Sequence, residues 1–353
     1  MRLKCFVENL AEFDGLFSII NRVDKVPDEV SDEGTKVNTL NTYALQRRTS
    51  KNSSTVDSGA VYFNAAMLRT CKTVLSPEWR NLLEAYRLDS VAGAYGATVG
   101  QVITRSGSTE VRRISLEVGD GQPRVIFLKK YWVTRPSQLW SGMLRGTFLG
   151  RSKVRREFEN LAKLRQWGLD APEPIAFGEE RDVRWLLRSY LISASVPSPM
   201  PLDIFVREHL PGKKSEDPGG IRRTLLESLA WATRRLHDHQ FVHHDYFWRN
   251  IILSGERLDR FWLIDAHKGR QWRVRARHSR ATDLAALDAP APLYFRRTER
   301  LRFFLKYCGQ QRLDPAARRL LRMTLRLAEP MRAKQRKRVQ DVKAAQRVTE
   351  VFR

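Results

Sequence analysis

The sequence predicts an α+β fold in two lobes, a small antiparallel sheet carrying one helix followed by a mainly helical half. Three observations predict it. Short runs of alternating polarity cluster between about residues 99 and 195, a Pro-rich joint (VPSPMPL, 196–202) follows, and stripes of helical period occupy most of the rest. The 353 residues are 42% apolar and 29% charged, a globular mixture that suits about two structural units. No stretch approaches the ~18 consecutive apolar residues of a membrane span. The N-terminus carries acids inside its apolar stretch and has no cleavage-site pattern, so no signal peptide is expected. Cys5, Cys71 and Cys308 lie far apart, which argues against a zinc site or a disulfide framework and for a reducing cytoplasm. A membrane channel, a secreted cystine scaffold and a collagen-like fibre are excluded.

Residues 1–24 pattern as a short amphipathic helix. Residues 25–60 are polar and rich in Ser, Thr and Asn, so 1–75 is expected to be a flexible lead-in. At SPEWRNLLEAYRL, Ser76 as N-cap, Pro77 at N1 and Glu78 at N2 predict a short helix. VGQVITR, TEVRRISLEV and PRVIFLKKYWV, parted by Gly-containing turns, read as an antiparallel meander. KVRREFENLAKLRQWG follows as a helix with Val154, Phe158, Leu161 and Leu164 on one face and Gly168 at its C-cap. EPIAFGE and VRWLLRSYLISAS bring the small lobe (76–195) to five strands. In the second lobe (196–338), IRRTLLESLAWATRRLHDH sets Leu225, Leu229, Ala232 and Leu236 in a buried stripe. Two more helices fall near 297–308 and 315–328. The latter has Leu313, Ala317, Leu320, Leu321 and Thr324 on one side and Arg318, Arg322 and Arg326 on the other. A basic tail, 339–353, ends the chain.

The net charge of +24 means attraction to something anionic: nucleic acid, an acidic membrane surface or a phosphorylated substrate. The excess is uneven, with fifteen Lys/Arg against Glu299, Asp314 and Glu329 between Arg296 and Arg338. No zinc finger, RNP or other recognition motif supports a specific nucleic-acid partner. The segment RPSQLWSGMLRGTFLGRSKVRR (135–156) mixes large apolar side chains with Arg and Lys. It reads either as an insertion packed on the small lobe or as a basic amphipathic surface for anionic lipid or glycan phosphate.

The chemistry concentrates in FVHHDYFWRNIIL and, after a turn, FWLIDAHKG. This is His-x-Asp-x4-Asn, an apolar hairpin, then another Asp. Asp245 and Asn250 flank a short loop and Asp265 ends the returning strand, so three oxygen-bearing side chains converge. Phosphoryl transfer needs a carboxylate to orient and accept the proton of the attacking hydroxyl, and hard oxygen ligands for Mg²⁺. The spacing matches the kinase catalytic loop and the metal-binding Asp after it. The small lobe should then supply a lysine for the nucleotide phosphates and a helix glutamate to orient it. If Val125 and Phe127 mark the buried face of VIFLKKY, alternation sends Lys129 towards the cleft. Glu157, beside the apolar stripe of the inserted helix, suits as its partner better than Glu159, which points further round. For the loop over the nucleotide, AGAYGATVGQV and the TRSGSTE turn compete, and neither fits G-x-G-x-x-G. His237, His239, His243 and His244 lack a complementary ligand spacing for a metal, and His243 is expected to buttress the loop by hydrogen bonding. Asp283 either caps a helix or braces the catalytic loop.

These segments together resemble the bacterial lipopolysaccharide core kinases of the Kdo/WaaP family, a branch of the protein-kinase-like superfamily. The resemblance spans residues 76–338 and rests on FLKKY, RREFENLAKLRQWGLDAPEPIAFGE, HHDYFWRNIIL, LIDAHKGR, ATDLAAL and RRTERLRFFLKY. It implies a bilobal kinase fold, ATP with Mg²⁺, and phosphorylation of a sugar hydroxyl on a lipid-linked glycan such as a Kdo or heptose of the core. By it Asp245 is the catalytic Asp, Asn250 and Asp265 the metal ligands, and Lys129 with Glu157 the ATP-positioning pair. Cysteine usage and the basic surface together lead to the expectation of a cytoplasmic protein with peripheral contact to the inner face of the membrane. Ala266 and His267 replace the Phe-Gly of protein kinases, His244 replaces the Arg of H-R-D, and no A-P-E follows. Those departures argue against a phosphorylation-controlled activation loop. The alternatives are a pseudokinase binding module of the same fold and a small-molecule or protein kinase-like phosphotransferase.

Overall fold

The computed structural model describes residues 69–351 except 119–120, 134–150, 183–184, 211–219, 256 and 273–275. The expected helix at 1–24, the rest of the lead-in up to residue 68, and most of the basic segment 135–156 therefore lie outside the described residues.

The small lobe begins with strand β1 (Arg69–Leu75), a helical turn Pro77–Trp79, and the short helices α1 (Arg80–Ala85) and α2 (Val91–Gly96). Strands β2 (Gln101–Ser106), β3 (Thr109–Leu116) and β4 (Arg124–Trp132) precede helix α3 (Lys153–Gln166), and β5 (Pro174–Asp182) and β6 (Trp185–Ala194) complete the lobe. The six strands form one antiparallel sheet in the order β1-β5-β6-β4-β3-β2. Five strands are expected from the sequence. The sixth, β1, lies in the stretch assigned to the lead-in and pairs with β5 along an edge where its first four residues are exposed, so no alternation betrays it. The expected helix at 76–88 is split into a turn and a short helix, and the Ser76 side chain caps neither.

The large lobe runs through β7 (Pro199–Pro201), α4 (Leu202–His209), α5 (Ile221–Asp238), β8 (Phe241–Val242), a one-turn helix Trp248–Asn250, β9 (Ile251–Ser254) and β10 (Arg257–Leu263). A second one-turn helix, Ala266–Lys268, leads to β11 (Arg270–Gln271), α6 (Ala276–Asp288), α7 (Ala291–Tyr294), α8 (Arg297–Cys308) and α9 (Pro315–Val351). The Pro-rich joint does more than link: Pro199–Pro201 pairs antiparallel with β9. Helix α9 continues past the expected end at 328, through Pro330 and along the basic tail. Its exposed Arg318, Arg322 and Arg326 face away from buried Ala317, Leu320 and Thr324, and α5 buries Leu225, Leu229, Ala232 and Leu236.

Helix α3 ties the lobes together. Val154 and Phe158, near its start, pack with Phe177 and Leu191 of the sheet, whereas Leu161 and Leu164 join the large-lobe core of Leu236, Phe241, Tyr246 and Leu263. The residues between, Glu157 and Asn160, are buried at the junction.

Candidate active site

Strand β4 sets the first group. Ile126, Leu128 and Lys130 point into the small-lobe core, and Val125, Phe127 and Lys129 line the half-covered opposite face. The fully buried face is thus not the one assumed from sequence, but alternation still carries Lys129 to the cleft. Its Nζ donates to Glu157 Oε1 at 2.6 Å and lies 3.8 Å from Asp265 Oδ1. Burial disfavours the charged lysine, yet the Glu157 and Asp265 carboxylates outweigh it and hold the ammonium above its ordinary range. Glu159 points elsewhere, pairing with Arg151 and Arg155.

The large-lobe groups are placed by backbone. Asp283 of α6 is fully buried and accepts from the amides of His243 and His244 at 2.7 and 2.9 Å. Of the two readings open at the sequence level, bracing is the one its hydrogen bonds make. His237 of α5 sits between Tyr307 (2.8 Å) and Asp283 (3.4 Å), and His243 Nε2 donates to the Ile264 carbonyl at 3.1 Å. His239 stacks on Trp167 at 4.9 Å, so these histidines serve packing and bracing. His244 takes φ 60°, a left-handed conformation that turns the chain so that Asp245 faces the cleft. Asn250 Nδ2 donates to the Asp245 carbonyl at 2.8 Å, closing the loop on itself.

Asp265 also has a left-handed φ, 57°, and lies two residues past β10, immediately before the one-turn helix Ala266–Lys268. Burial pushes its carboxyl up, but the Lys129 ammonium and a 2.9 Å hydrogen bond from His267 Nδ1 prevail and keep it well below the usual carboxylate range. Asn160 Nδ2 of α3 donates to the Ala266 and Gly269 carbonyls at 2.7 and 2.8 Å, fastening the turn that carries Asp265. A Cβ on Gly269 would meet the Phe241 ring at 2.3 Å, so only glycine closes this turn against the core.

Lys129, Glu157 and Asp265 therefore come together directly. Asp245 and Asn250 share the loop, and Lys268 links them to the Asp265 turn through a 3.2 Å contact with Asp245 Oδ2. Arg249 approaches Asp245 Oδ1 at 3.5 Å. Sequence reasoning did not pick out Asn160 or Lys268. Asn160 left one trace, a polar residue on the apolar stripe of α3, and Lys268 left none in a chain so rich in cations. The donor set fits a hard divalent ion: the carboxylate of Asp265 and the amide oxygen of Asn250, whose nitrogen is engaged elsewhere. Among the described residues, Glu157, Asp265 and His267 also present ligand atoms within 4.8 Å of one another. The AGAYG part of the candidate AGAYGATVGQV is helical rather than a loop. It forms α2, and Gly93 is needed because a Cβ there would lie 2.0 Å from the Arg87 carbonyl oxygen.

The lipopolysaccharide kinase (Kdo/WaaP) family matches residues 103–301 of the chain. A solved structure described as WaaP in complex with acyl carrier protein superposes with a TM-score of 0.52 at 22% identity, over 76% of this chain and 99% of that one. That likeness places the fold among kinase-like folds. No curated protein matches the chain in sequence.

Proposed function

The chain belongs to the lipopolysaccharide kinase (Kdo/WaaP) family and is a phosphotransferase, and from that premise we propose that it moves the γ-phosphoryl group of ATP to a Kdo or heptose hydroxyl of the lipopolysaccharide core. The observation that carries this reading is the meeting of Lys129, paired to Glu157 at 2.6 Å, with Asp265 at 3.8 Å across the lobes. A cation for phosphate beside a carboxylate for metal is the pairing that gripping a nucleotide requires. Asp245 orients the acceptor hydroxyl and takes its proton as the oxygen–phosphorus bond forms and the β–γ bridging bond breaks, releasing ADP. Asn250 and Asp265 would hold Mg²⁺, which would draw charge from the phosphate oxygens. With α2 accounted for, the turn between β2 and β3 is the stretch proposed to cover the nucleotide.

The same reading takes an anionic, lipid-linked acceptor. The net charge of +24 and the exposed Arg318, Arg322 and Arg326 support peripheral contact with the anionic cytoplasmic face of the membrane, where ATP is available. Among the described residues no helix is long and apolar enough to cross a membrane. A cavity of about 930 Å³ in the large lobe, lined by Leu229, Leu287, Phe304 and Leu321 and also by Arg297 and Arg326, suits an acyl chain. We assign it to an acyl carrier protein, the partner named for the WaaP structure.

Thermal shift with Mg·ATP, and transfer of labelled phosphate to lipopolysaccharide stripped of its core phosphates, test the assignment. Wild type should be stabilised by ATP only with Mg²⁺, and Asp265→Ala should lose that response. Asp245→Asn should still bind but transfer roughly 10²–10⁴-fold more slowly. Transfer at the wild-type rate by Asp245→Asn would overturn the assignment.

A further inference from the structure

Lys268 closes the one-turn helix that begins just after Asp265, and its Nζ lies 3.2 Å from Asp245 Oδ2. The base of this side chain is fixed, because Asn160 fastens the Ala266 and Gly269 carbonyls on either side. Its tip is not. The Lys268 side chain is 53% exposed, whereas that of Asp245 is 7% exposed. The second cation on Asp245 differs: Arg249 also lies over the Phe247 ring, at 4.7 Å, and its planar head is tethered there. The contact seen here joins an exposed ammonium to a nearly buried carboxylate, so it is the one that an entering phosphate group can draw away from Asp245. A lysine is the right residue for that exchange, a compact charge with three donors on a flexible stem.

Resting on the assignment of Asp245 and Asp265 above, we propose that Lys268 moves from Asp245 onto the γ-phosphoryl oxygens when ATP binds and neutralises the charge that builds there during transfer. The acceptor oxygen bonds to phosphorus, the β–γ bridging bond breaks with its electron pair leaving on ADP, and the hydroxyl proton passes to Asp245. Lys268 supplies charge and exchanges no proton. In this arrangement one turn carries both groups: Asp265 would hold the metal ion and Lys268 would meet the phosphate directly.

The test compares Lys268→Met and Lys268→Arg with wild type, using calorimetric binding of Mg·ADP and of the non-hydrolysable Mg·AMPPNP, together with transfer to dephosphorylated lipopolysaccharide. For Lys268→Met, Mg·ADP should bind as to wild type, because the γ-phosphoryl is missing, while Mg·AMPPNP weakens about tenfold. Turnover should fall by roughly 10²–10³, and Lys268→Arg should recover part of both losses. Equal weakening of the two nucleotides, or unchanged turnover, would overturn the proposal and leave Lys268 as a brace for Asp245. Asp245→Asn separates the two layers. Its inactivity beside an unaffected Lys268→Met sinks only the present proposal. Full activity of Asp245→Asn, or a wild type that binds neither nucleotide, sinks the site assignment and this proposal with it.

Discussion

On the small-lobe side of the site two long side chains meet, Lys129 from β4 and Glu157 from α3, at 2.6 Å and with regular backbone on both elements. On the large-lobe side the groups are short, and the backbone is bent to present them: His244 and Asp265 hold φ of 60° and 57°, and Asp283 and Asn160 take up four amide or carbonyl groups between them. A short side chain passes every error of its backbone to its terminal atoms, whereas a four-carbon stem absorbs such errors through its rotamers. The lobe with the short groups therefore needs a rigid buried frame. The lobe with the long ones needs only the correct face of a strand and of a helix.

The largest effect should come from breaking the frame. Asp283→Ala leaves the His243 and His244 amides without their acceptor and the His237 ring without its 3.4 Å neighbour, a loss of about 2–5 kcal/mol. Urea midpoints should show it, and transfer should fall with the loop that carries Asp245. A midpoint within about 1 kcal/mol of wild type would mean that the loop stands without its brace. Glu157→Gln probes the other side. It keeps the shape but removes the charge that holds Lys129, so KM for ATP should rise about tenfold with only a modest change in midpoint. Lys130→Met sharpens the contrast from the neighbouring position. Lys130 faces the core, 3.3 Å from Glu110 and within 3.3 Å of the Tyr95 and Ala97 carbonyls, and burial pulls its ammonium below the ordinary value despite Glu110. It should cost about 1–2 kcal/mol of stability and leave KM for ATP alone. A KM change matching that of Glu157→Gln would mean that both faces of β4 serve the site.

The same contrast explains what could be read in advance. The spacing of Asp245, Asn250 and Asp265 was legible because short groups must sit at set intervals along a bent backbone, and the intervals survive in the sequence. Lys129 and Glu157 were legible through periods of two and 3.6, and Lys129 came out on the cleft face even though Ile126 and Leu128, not Val125 and Phe127, point to the core. The supports were not legible. Asn160 works on carbonyls 106 and 109 residues away, and Lys130 is buried by groups that alternation on its own strand cannot reveal. AGAYG had the composition of a phosphate loop, yet Gly93 answers to the Arg87 carbonyl, a contact made only after the chain has turned. Strand β1 has too many exposed residues to show a pattern.

The smallest effect should be a pH dependence of the frame, read at His244. Burial lowers its pKa, aided by the Arg270, His243 and His278 charges, while Asp283 pulls the other way without prevailing. Its Nε2 accepts from Arg270 Nε at 3.1 Å, an arrangement that requires the neutral ring. Folded His244 therefore resists a proton that the unfolded chain accepts near the ordinary histidine value of about 6.5. Above that value both states are neutral and the contribution is fully present. As pH falls below it the unfolded state binds more protons, and stability declines until the folded ring titrates as well. His244→Asn keeps a residue tolerant of left-handed φ and removes the titration. The melting temperature of wild type should thus drop more between pH 7.5 and 5.5 than that of His244→Asn. Parallel curves would show that the frame around Asp283 holds whether or not this ring is charged.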